Sequence, residues 1–414
     1  MKNSAKAIVL GGTFPHINLI KKLQKRGFYV ILVDYHEKPP AKLIADEHIQ
    51  ESTLDMDAVL KIAKEREVDL VISTCIDQAN VTACYIGEKL GLPIPYSYKT
   101  ALNVTDKSLM KEMMMRNEIP TSKYFKVSKN DDIQSIDLKY PVIVKPTDSN
   151  SSKGVRRADD LRELKLFLKE AIDISRNNEA IVEEYVEGRE IGIDSICKNG
   201  KVTLVMSRER IKIISDSNDT QQIYGSFWPA SISEKIKNDF IKIAENIAKV
   251  FKFDNSPLMI QAIVNNDGIN IIEFAPRIGG GENFNIIELS TGFEIIEAGI
   301  DSFLGKEIEL KINNPSDIYF DNYIYTKQGV FNKIKGLEKL IENQIADYFN
   351  IYKSYGSQIG NDLTSNNRAG VFTVKGSTKE ETIEKIQKAV KEIEVYDVND
   401  QPIMIKDIYE NLKN

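Results

Sequence analysis

The first hundred residues alternate short apolar runs with longer segments of helical periodicity. Apolar runs lie at residues 7–10, 29–33 and 70–73, and helical spacing of apolar residues lies at 17–26, 58–65 and 79–90. Strands separated by helices predict a parallel sheet with right-handed crossovers. Ligands bind such sheets at the carboxyl ends of the strands, here residues 11–16, Asp34 and residues 74–78. The segment GGTFPH at 11–16 lacks the GxGxxG spacing, so a dinucleotide site is disfavoured.

After residue 102 a Met-rich helix is predicted at 107–117, followed by a sheet-like region from 124 to 186. Its strand at 141–146, PVIVKP, carries Lys145 and leads into TDSNSSKGV. Hydroxyl and amide side chains beside Gly154 suit a loop that surrounds phosphate oxygens, and Lys145 would supply a cation there. The alternative is a surface turn beside a solvated lysine, but a charge that leaves a buried strand needs a partner or water.

The segment AIVEEYVEGRE at 180–190 predicts a strand, an extended hinge and a glycine turn before the next strand. Backbone groups of the hinge can read the edge of an adenine, with a glutamate carboxylate accepting from its amino group. Paired glutamates are more often simply solvated.

Two apolar runs at 258–265 and 269–274 flank Asn266-Asp267-Gly268, which predicts a hairpin. A three-residue turn with Gly268 in the left-handed position would place Gln261 directly opposite Glu273. An amide oxygen and a carboxylate about 5 Å apart can hold Mg²⁺ together with phosphate oxygens. Arg277 would lie just beyond the strand. A four-residue turn would shift the register by one and leave an ordinary hairpin.

Composition narrows the setting of these motifs. The 414 residues suffice for two to four domains, and 42% hydrophobic with 28% charged residues is typical of a soluble globular protein. A net charge of -6 argues against a nucleic-acid partner. Three cysteines suggest reduced cytosolic thiols, and no Cys/His cluster has zinc spacing. Nowhere do 18 apolar residues run together, so we expect no membrane partner and a cytoplasmic enzyme.

In order and spacing, Asp106-Lys107, Lys145 with its Ser/Gly loop, VEEYVEGRE and Gln261…Glu273…Arg277 resemble the ATP-grasp superfamily. The resemblance covers nearly the whole chain. It implies an α/β fold, α+β in the ATP-binding part, with ATP gripped between two antiparallel sheets. The implied parts are a parallel-sheet domain at 1–104, a lid-like small subdomain at 105–188, a large subdomain at 189–315 and a substrate-side module at 316–414.

The resemblance also implies ATP and Mg²⁺ as cofactors and assigns site residues. Those for ATP are Lys107 and Lys145 at the phosphates, Ser149, Ser151, Ser152, Gly154 and Val155 in the phosphate loop, Glu183, Glu184, Tyr185 and Val186 at the hinge, and Glu190 at the ribose. Gln261 and Glu273 match the Mg²⁺ ligands, and Arg277 matches the arginine that meets phosphate and the reacting carboxylate.

The run Gly279-Gly280-Gly281-Glu282-Asn283 is similar to the branch that joins a carboxylate to an amine, which includes L-amino-acid ligases and carbamoyl phosphate synthase-like proteins. Glycines let backbone N–H groups approach a carboxylate closely, although a plain turn before a helix near 286–289 is the alternative. The catalytic candidates are Arg277, Lys145 and Gly280, and the substrate candidates are Arg208, Arg210, Trp228, Gly279, Gly281 and Asn283.

The last hundred residues predict strands at 324–334 and 371–374, a helix at 379–393, and a loop in which Arg368 faces substrate, phosphate or solvent. Two positions depart from the superfamily pattern: Gln261 replaces a glutamate, and Ala275 replaces an amide ligand. We therefore expect weaker metal binding before ATP arrives, or a compensating oxygen from Asn283, Glu282 or water.

The resemblance implies that ATP converts a small carboxylate to an acyl phosphate, which an amine attacks to form an amide. The partners would be the two small-molecule substrates, and because relatives are often dimers a homodimer stays open. A biotin-dependent carboxylase is disfavoured because no biotinyl-carrier segment is present. A purine-pathway-type ligase or transferase and a catalytically lapsed ATP-binding regulator stay open as alternatives.

Overall fold

The structure is a computed structural model, and it describes residues 4–131, 133, 137–149, 153–213, 221–361 and 363–413. Two predicted phosphate-loop residues, Ser151 and Ser152, lie outside these described ranges.

The N-terminal part contains the predicted parallel sheet, in the strand order β3-β2-β1-β4. Its elements are β1 (Lys6–Leu10), α1 (Phe14–Lys25), β2 (Tyr29–Asp34), β3 (Glu47–Gln50), α2 (Met56–Arg66), β4 (Leu70–Ile72), α3 (Asp77–Leu90) and α4 (Tyr98–Thr105). The apolar runs form the three most buried strands. Strand β3, EHIQ, was not predicted because it is a half-buried edge strand without an apolar run.

The next part is a small antiparallel sheet in the order β5-β8-β6-β7, covered by one helix. Its elements are α5 (Lys107–Arg116), β5 (Tyr124–Ser128), β6 (Val142–Pro146), β7 (Arg156–Ala158), α6 (Leu161–Ile174) and β8 (Glu179–Glu184). Helix α6 interrupts the region predicted as sheet-like. Its buried Leu164, Phe167, Leu168 and Ala171 follow helical spacing, and Asp160 caps its first turn.

The following segment contains β9 (Arg189–Lys198), β10 (Lys201–Lys212), β11 (Ile223–Trp228), α7 (Glu234–Phe251), β12 (Ser256–Asn265), β13 (Gly268–Ala275), α8 (Asn283–Thr291) and α9 (Ile295–Phe303). The last segment contains β14 (Ile318–Ile324), β15 (Gly329–Lys335), α10 (Leu337–Glu342), β16 (Tyr348–Ile351), β17 (Gln358–Ile359), β18 (Gly370–Gly376), α11 (Lys379–Glu392) and β19 (Glu394–Asp397). The single strand predicted at 324–334 is therefore wrong, because the chain turns between β14 and β15.

These two segments share one eight-stranded antiparallel sheet in the order β13-β12-β9-β10-β11-β14-β18-β16, and the last segment adds a three-stranded antiparallel sheet in the order β17-β15-β19. The eight-stranded sheet takes strands from both sides of residue 315, and the division into parts at 104, 188 and 315 stays a prediction. The mixed α/β class, with a parallel sheet first and antiparallel sheets after it, agrees with the predicted fold. Within the described residues, no helix combines the length and the apolar character needed to cross a bilayer.

Candidate active site

A cleft of about 320 Å³ is lined by the four-stranded and eight-stranded antiparallel sheets and by the carboxyl edge of the parallel sheet. The predicted residues that line it are Lys107, Lys145, Ser149, Val155, Glu183, Glu184, Tyr185, Val186, Glu190, Arg208, Arg210, Gln261, Glu273, Arg277, Gly280, Gly281 and Asn283. Residues that are more than 170 positions apart in sequence therefore meet in one cavity. Three described candidates, Gly154, Trp228 and Gly279, do not line it.

The hairpin β12–β13 pairs Gln261 with Glu273, as the sequence predicts, but by a different route. Asn265 pairs with Gly268, so the turn has two residues rather than three. That register alone would place Gln261 opposite Ile272. A register shift just before Ala262 leaves Ile272 as an extra residue and returns Gln261 to Glu273. The bulge, which has no clear sequence signal, therefore decides which face Glu273 occupies.

Around this pair the polar atoms are already engaged. Gln261 Nε2 donates to Glu273 Oε1 at 3.1 Å, and Gln261 Oε1 accepts from Arg210 Nη1. Glu273 Oε2 lies 3.9 Å from Lys107 Nζ. An amide oxygen beside a carboxylate is a suitable ligand set for Mg²⁺. The residue types therefore fit the metal, while the amide oxygen is shared with a guanidinium.

The two side chains expected to compensate at the metal make other contacts. Asn283 Nδ2 donates to the Asp194 carboxylate at 3.3 Å, and Glu282 Oε1 accepts from Tyr352 Oη at 2.7 Å. Burial raises the pKa of Glu282. Within the described residues, no group of three His, Cys, Asp or Glu side chains is arranged to hold a metal.

The lysine at the base of the phosphate loop belongs to a buried ion cluster. Lys145 Nζ contacts Glu183 Oε1, and Lys111 Nζ lies 2.5 Å from Glu183 Oε2. Lys111 also donates to Thr121 Oγ1 and Ser122 Oγ, each at 2.8 Å. The Glu183 carboxylate therefore faces two lysines, and recognition of an adenine edge by the hinge stays a prediction.

Lys111 was missed by the sequence analysis, although it lies one helical turn after Lys107 on the same face of α5. Its side chain is 1% exposed, and burial lowers its pKa to about 8 against the opposing effect of Glu183. Although burial raises the pKa of Glu183, Lys111 and Lys145 outweigh it and lower that pKa to about 2. Glu183 and Lys111 are therefore ionised at neutral pH, and both lysines contact the one carboxylate.

Lys107 Nζ donates to the Ser149 carbonyl at 2.5 Å, which brings the start of α5 to the predicted phosphate loop. Gly154 in the same loop adopts a φ of +74°, and a Cβ there would lie 2.9 Å from Ile174 and 3.0 Å from Pro146. This glycine therefore has a packing role in a tight turn, and it does not contact the cleft.

The predicted hinge is apolar where a base would bind. Residues 185–188 belong to no helix or strand, and Tyr185 and Val186 line the cleft with Ile143 and Ile263. The Arg157 guanidinium lies 4.8 Å from the centre of the Tyr185 ring. Glu184 is exposed at the cleft edge.

Glu190, the predicted ribose acid, lies beyond the hinge beside two cations. Its carboxylate is 3.0 Å from Arg210 Nη1 and 3.5 Å from Lys212 Nζ. Burial opposes ionisation of Glu190, but Arg210 and Lys212 lower its pKa below the ordinary value. The acid is thus held as a carboxylate in the cleft wall.

Arg277 is bound on one edge by Asp77 at the start of α3. Its Nε and Nη2 lie 2.6 and 2.8 Å from the two Asp77 oxygens, and Nη1 donates to the Ile278 carbonyl at 2.8 Å. Burial disfavours both charges, but Arg277 lowers the pKa of Asp77 and Asp77 raises that of Arg277. Each terminal nitrogen of the guanidinium carries a second N–H, which can donate to a further anion.

The tryptophan named as a substrate selector lies in the core instead. Trp228 is fully buried, and its Nε1 donates to Asp321 at 2.9 Å. Its ring lies 5.0 Å from the guanidinium carbon of Arg208, which does line the cleft and pairs with Asp194. A Cβ on Gly279 would lie 1.9 Å from the Asn283 amide, so Gly279 is required for packing.

Arg368 is 9% exposed and lines the cleft, rather than lying in a solvated loop. Its guanidinium carbon lies 3.6 Å from the centre of the Tyr323 ring, and Nε donates to Tyr325 Oη at 2.8 Å. No carboxylate among the described residues forms an ion pair with it. A buried cation of this kind is suited to an anionic ligand.

Comparison with known proteins agrees with this geometry. Residues 138–285 match the family of ATP-grasp domains. This chain contains an ATP-grasp domain. The matched stretch carries Lys145, the hinge and the β12–β13 hairpin.

Relatives of this chain include the carbamoyl phosphate synthase large chain of Agathobacter rectalis, 25% identical over 63% of this chain and 24% of that protein. The L-arginine-specific L-amino acid ligase of Bacillus subtilis is 22% identical over 64% of this chain and 65% of that protein. The matches to both relatives thus fall short of two thirds of their length, and the synthase match covers only a quarter.

The fold of the whole chain is similar to that of L-amino acid ligase from Bacillus licheniformis, with a TM-score of 0.78 and 18% identity. That comparison covers 96% of this chain and 100% of the other. The shared fold therefore extends beyond residues 138–285.

Proposed function

We propose that this protein is an ATP-dependent carboxylate–amine ligase. It would convert an amino acid or another small carboxylate to an acyl phosphate, transfer the acyl group to an amine to form a peptide-like amide, and release ADP and phosphate. The observation that carries the proposal is the single cleft in which an apolar hinge, two phosphate lysines, Glu273 and Arg277 converge.

The ends of the cleft differ in chemistry, which supports an orientation for ATP. The apolar hinge at Tyr185 and Val186 suits a base, and Glu190 lies where a ribose would follow. Lys107 and Lys145 lie on the small-sheet side, opposite Glu273 on the large sheet. Gln261 and Glu273 would hold Mg²⁺, which would supply positive charge near the phosphates. The protein then supplies charge from both sheets, as phosphoryl transfer requires.

The substrate end lies where the glycine run meets Arg277. The second N–H groups on Nη1 and Nη2 of Arg277 are suited to the carboxylate that attacks phosphorus and to the oxyanion of the later amide-forming step. Among the described residues, a Cβ on Gly280 would meet only Cys75, at 3.8 Å, so a substrate can approach this backbone closely. Arg368 and Arg208 offer further positive charge for an anionic substrate. These features support a carboxylate as the first substrate.

The test is ADP release from Mg-ATP with amino acids and small carboxylates, supplied singly and in pairs. Glu273→Ala is the loss-of-function control, and Glu234→Ala is the matched control at a glutamate that is 81% exposed and does not line the cleft. Release that needs both an acid and an amine supports the ligase. Removal of Lys145 or Arg277 should slow turnover roughly a hundred- to a thousandfold. Tight ATP binding with no turnover on any pair would instead favour a regulator.

A further inference from the structure

Arg210 occupies a position between the ribose side and the metal side of the cleft. Its Nη1 lies 3.0 Å from Glu190 on β9 and donates to Gln261 Oε1 on β12. Its Nε is buried and, within the described residues, has no hydrogen-bond partner. Arg210 therefore lies between Glu190, the predicted ribose ligand, and Gln261, the predicted metal ligand. ATP bound along this line would place its phosphates beside the guanidinium.

The same contact affects the metal ligands. Gln261 uses its oxygen for Arg210 and its amide nitrogen for Glu273. Glu273 in turn has Lys107 at 3.9 Å. A divalent cation on Gln261 Oε1 would compete with a guanidinium N–H for the same lone pairs, and the two like charges would repel at such short range.

We propose that Arg210 and the divalent metal are alternative occupants of Gln261 Oε1, and that nucleotide phosphate draws Arg210 away as the metal enters. This inference rests on the proposed ATP-dependent function. Phosphate oxygens bind a guanidinium more strongly than a neutral amide does, because the contact is charge-assisted and can be forked. The ion pair with Glu190 would keep Arg210 close to Gln261 during the exchange.

The exchange gives a physical reason for glutamine at position 261. A glutamate there would form an ion pair with Arg210 and hold it on the metal ligand, whereas a neutral amide releases it to phosphate. Arg210 thus couples metal entry to nucleotide entry.

The test uses the full chain and two binding titrations that need no turnover. The first measures Mn²⁺ binding without nucleotide, and the second measures ATP binding without divalent metal. Arg210→Met should bind Mn²⁺ at least about tenfold more tightly than wild type, because a competing cation is gone, and ATP about tenfold more weakly, because a phosphate contact is gone.

Arg189→Met is the matched control. Arg189 is also paired with a glutamate, Glu209, at 2.6 Å, but it is 45% exposed and does not line the cleft. Both affinities of this variant should equal those of wild type. Arg210→Gln is a second variant in case Arg210→Met does not fold, and it should show the same two shifts.

Opposite shifts in the two affinities support the inference. Unchanged or weaker Mn²⁺ binding by folded Arg210 variants overturns it, while ATP binding by wild type leaves the ligase proposal standing. Wild type that binds no ATP overturns both.

Discussion

Replacing Glu183 with glutamine should destabilise the protein measurably, because it removes the carboxylate that Lys111 and Lys145 share. Those lysines are 1% and 4% exposed, and Glu183 is 7% exposed. Their attraction lowers the pKa of Glu183 from 4.5 to about 2, which corresponds to about 3 kcal/mol in favour of the ionised form. The neutral side chain of glutamine cannot make this contribution, and the substitution leaves the buried Lys111 and Lys145 without their shared carboxylate. Removal of one partner from a buried pair typically costs about 3–5 kcal/mol.

The assay is thermal unfolding of wild type and Glu183→Gln at neutral pH. With an unfolding entropy of about 2.1 cal/mol/K per residue, 3 kcal/mol lowers Tm by about 3 °C if all 414 residues unfold together. The decrease is larger if a smaller unit unfolds first.

Glu184→Gln is the matched control, since it makes the same change in the adjacent, exposed glutamate. Its effect should stay within about 0.5 kcal/mol. Equal Tm values for Glu183→Gln and Glu184→Gln would refute the argument that the buried cluster is a net source of stability.

The remaining predictions concern Lys111 and Asp77. Because burial lowers the pKa of Lys111 from 10.5 to about 8, the unfolded chain holds a proton between these pH values that the folded chain has lost. Wild type should therefore gain up to about 3 kcal/mol relative to Lys111→Met as pH rises through this range, measured by denaturant unfolding, and a pH-independent difference would contradict the assignment. Asp77→Asn should lower kcat for ADP release about tenfold or more, because Arg277 loses its forked partner, with partial recovery in Asp77→Glu. A kcat within about twofold of wild type would show that Asp77 does not orient Arg277.

Several strands and helices could be predicted from the sequence because their signals are local. Apolar runs identified β1, β2 and β4, and helical spacing identified the helix that begins with Lys107. The motifs around Lys145, the hinge and the β12–β13 hairpin were recognisable because each needs particular residue types at short spacing. The sequence also predicted that Gln261 pairs with Glu273. That prediction assumed a three-residue turn, whereas the hairpin has a two-residue turn.

Only the tertiary structure decided which charges meet. Asp77 and Arg277 are 200 positions apart, and Lys111 and Glu183 are 72 apart, so no local pattern signals either contact. The bulge at Ile272 and the approach of Arg210 to Gln261 likewise depend on how neighbouring strands align. Periodicity determines which faces are buried, because burial follows the repeat of a helix or strand. Partners within a buried site depend on the register and packing of distant segments, which the order of residues alone does not contain.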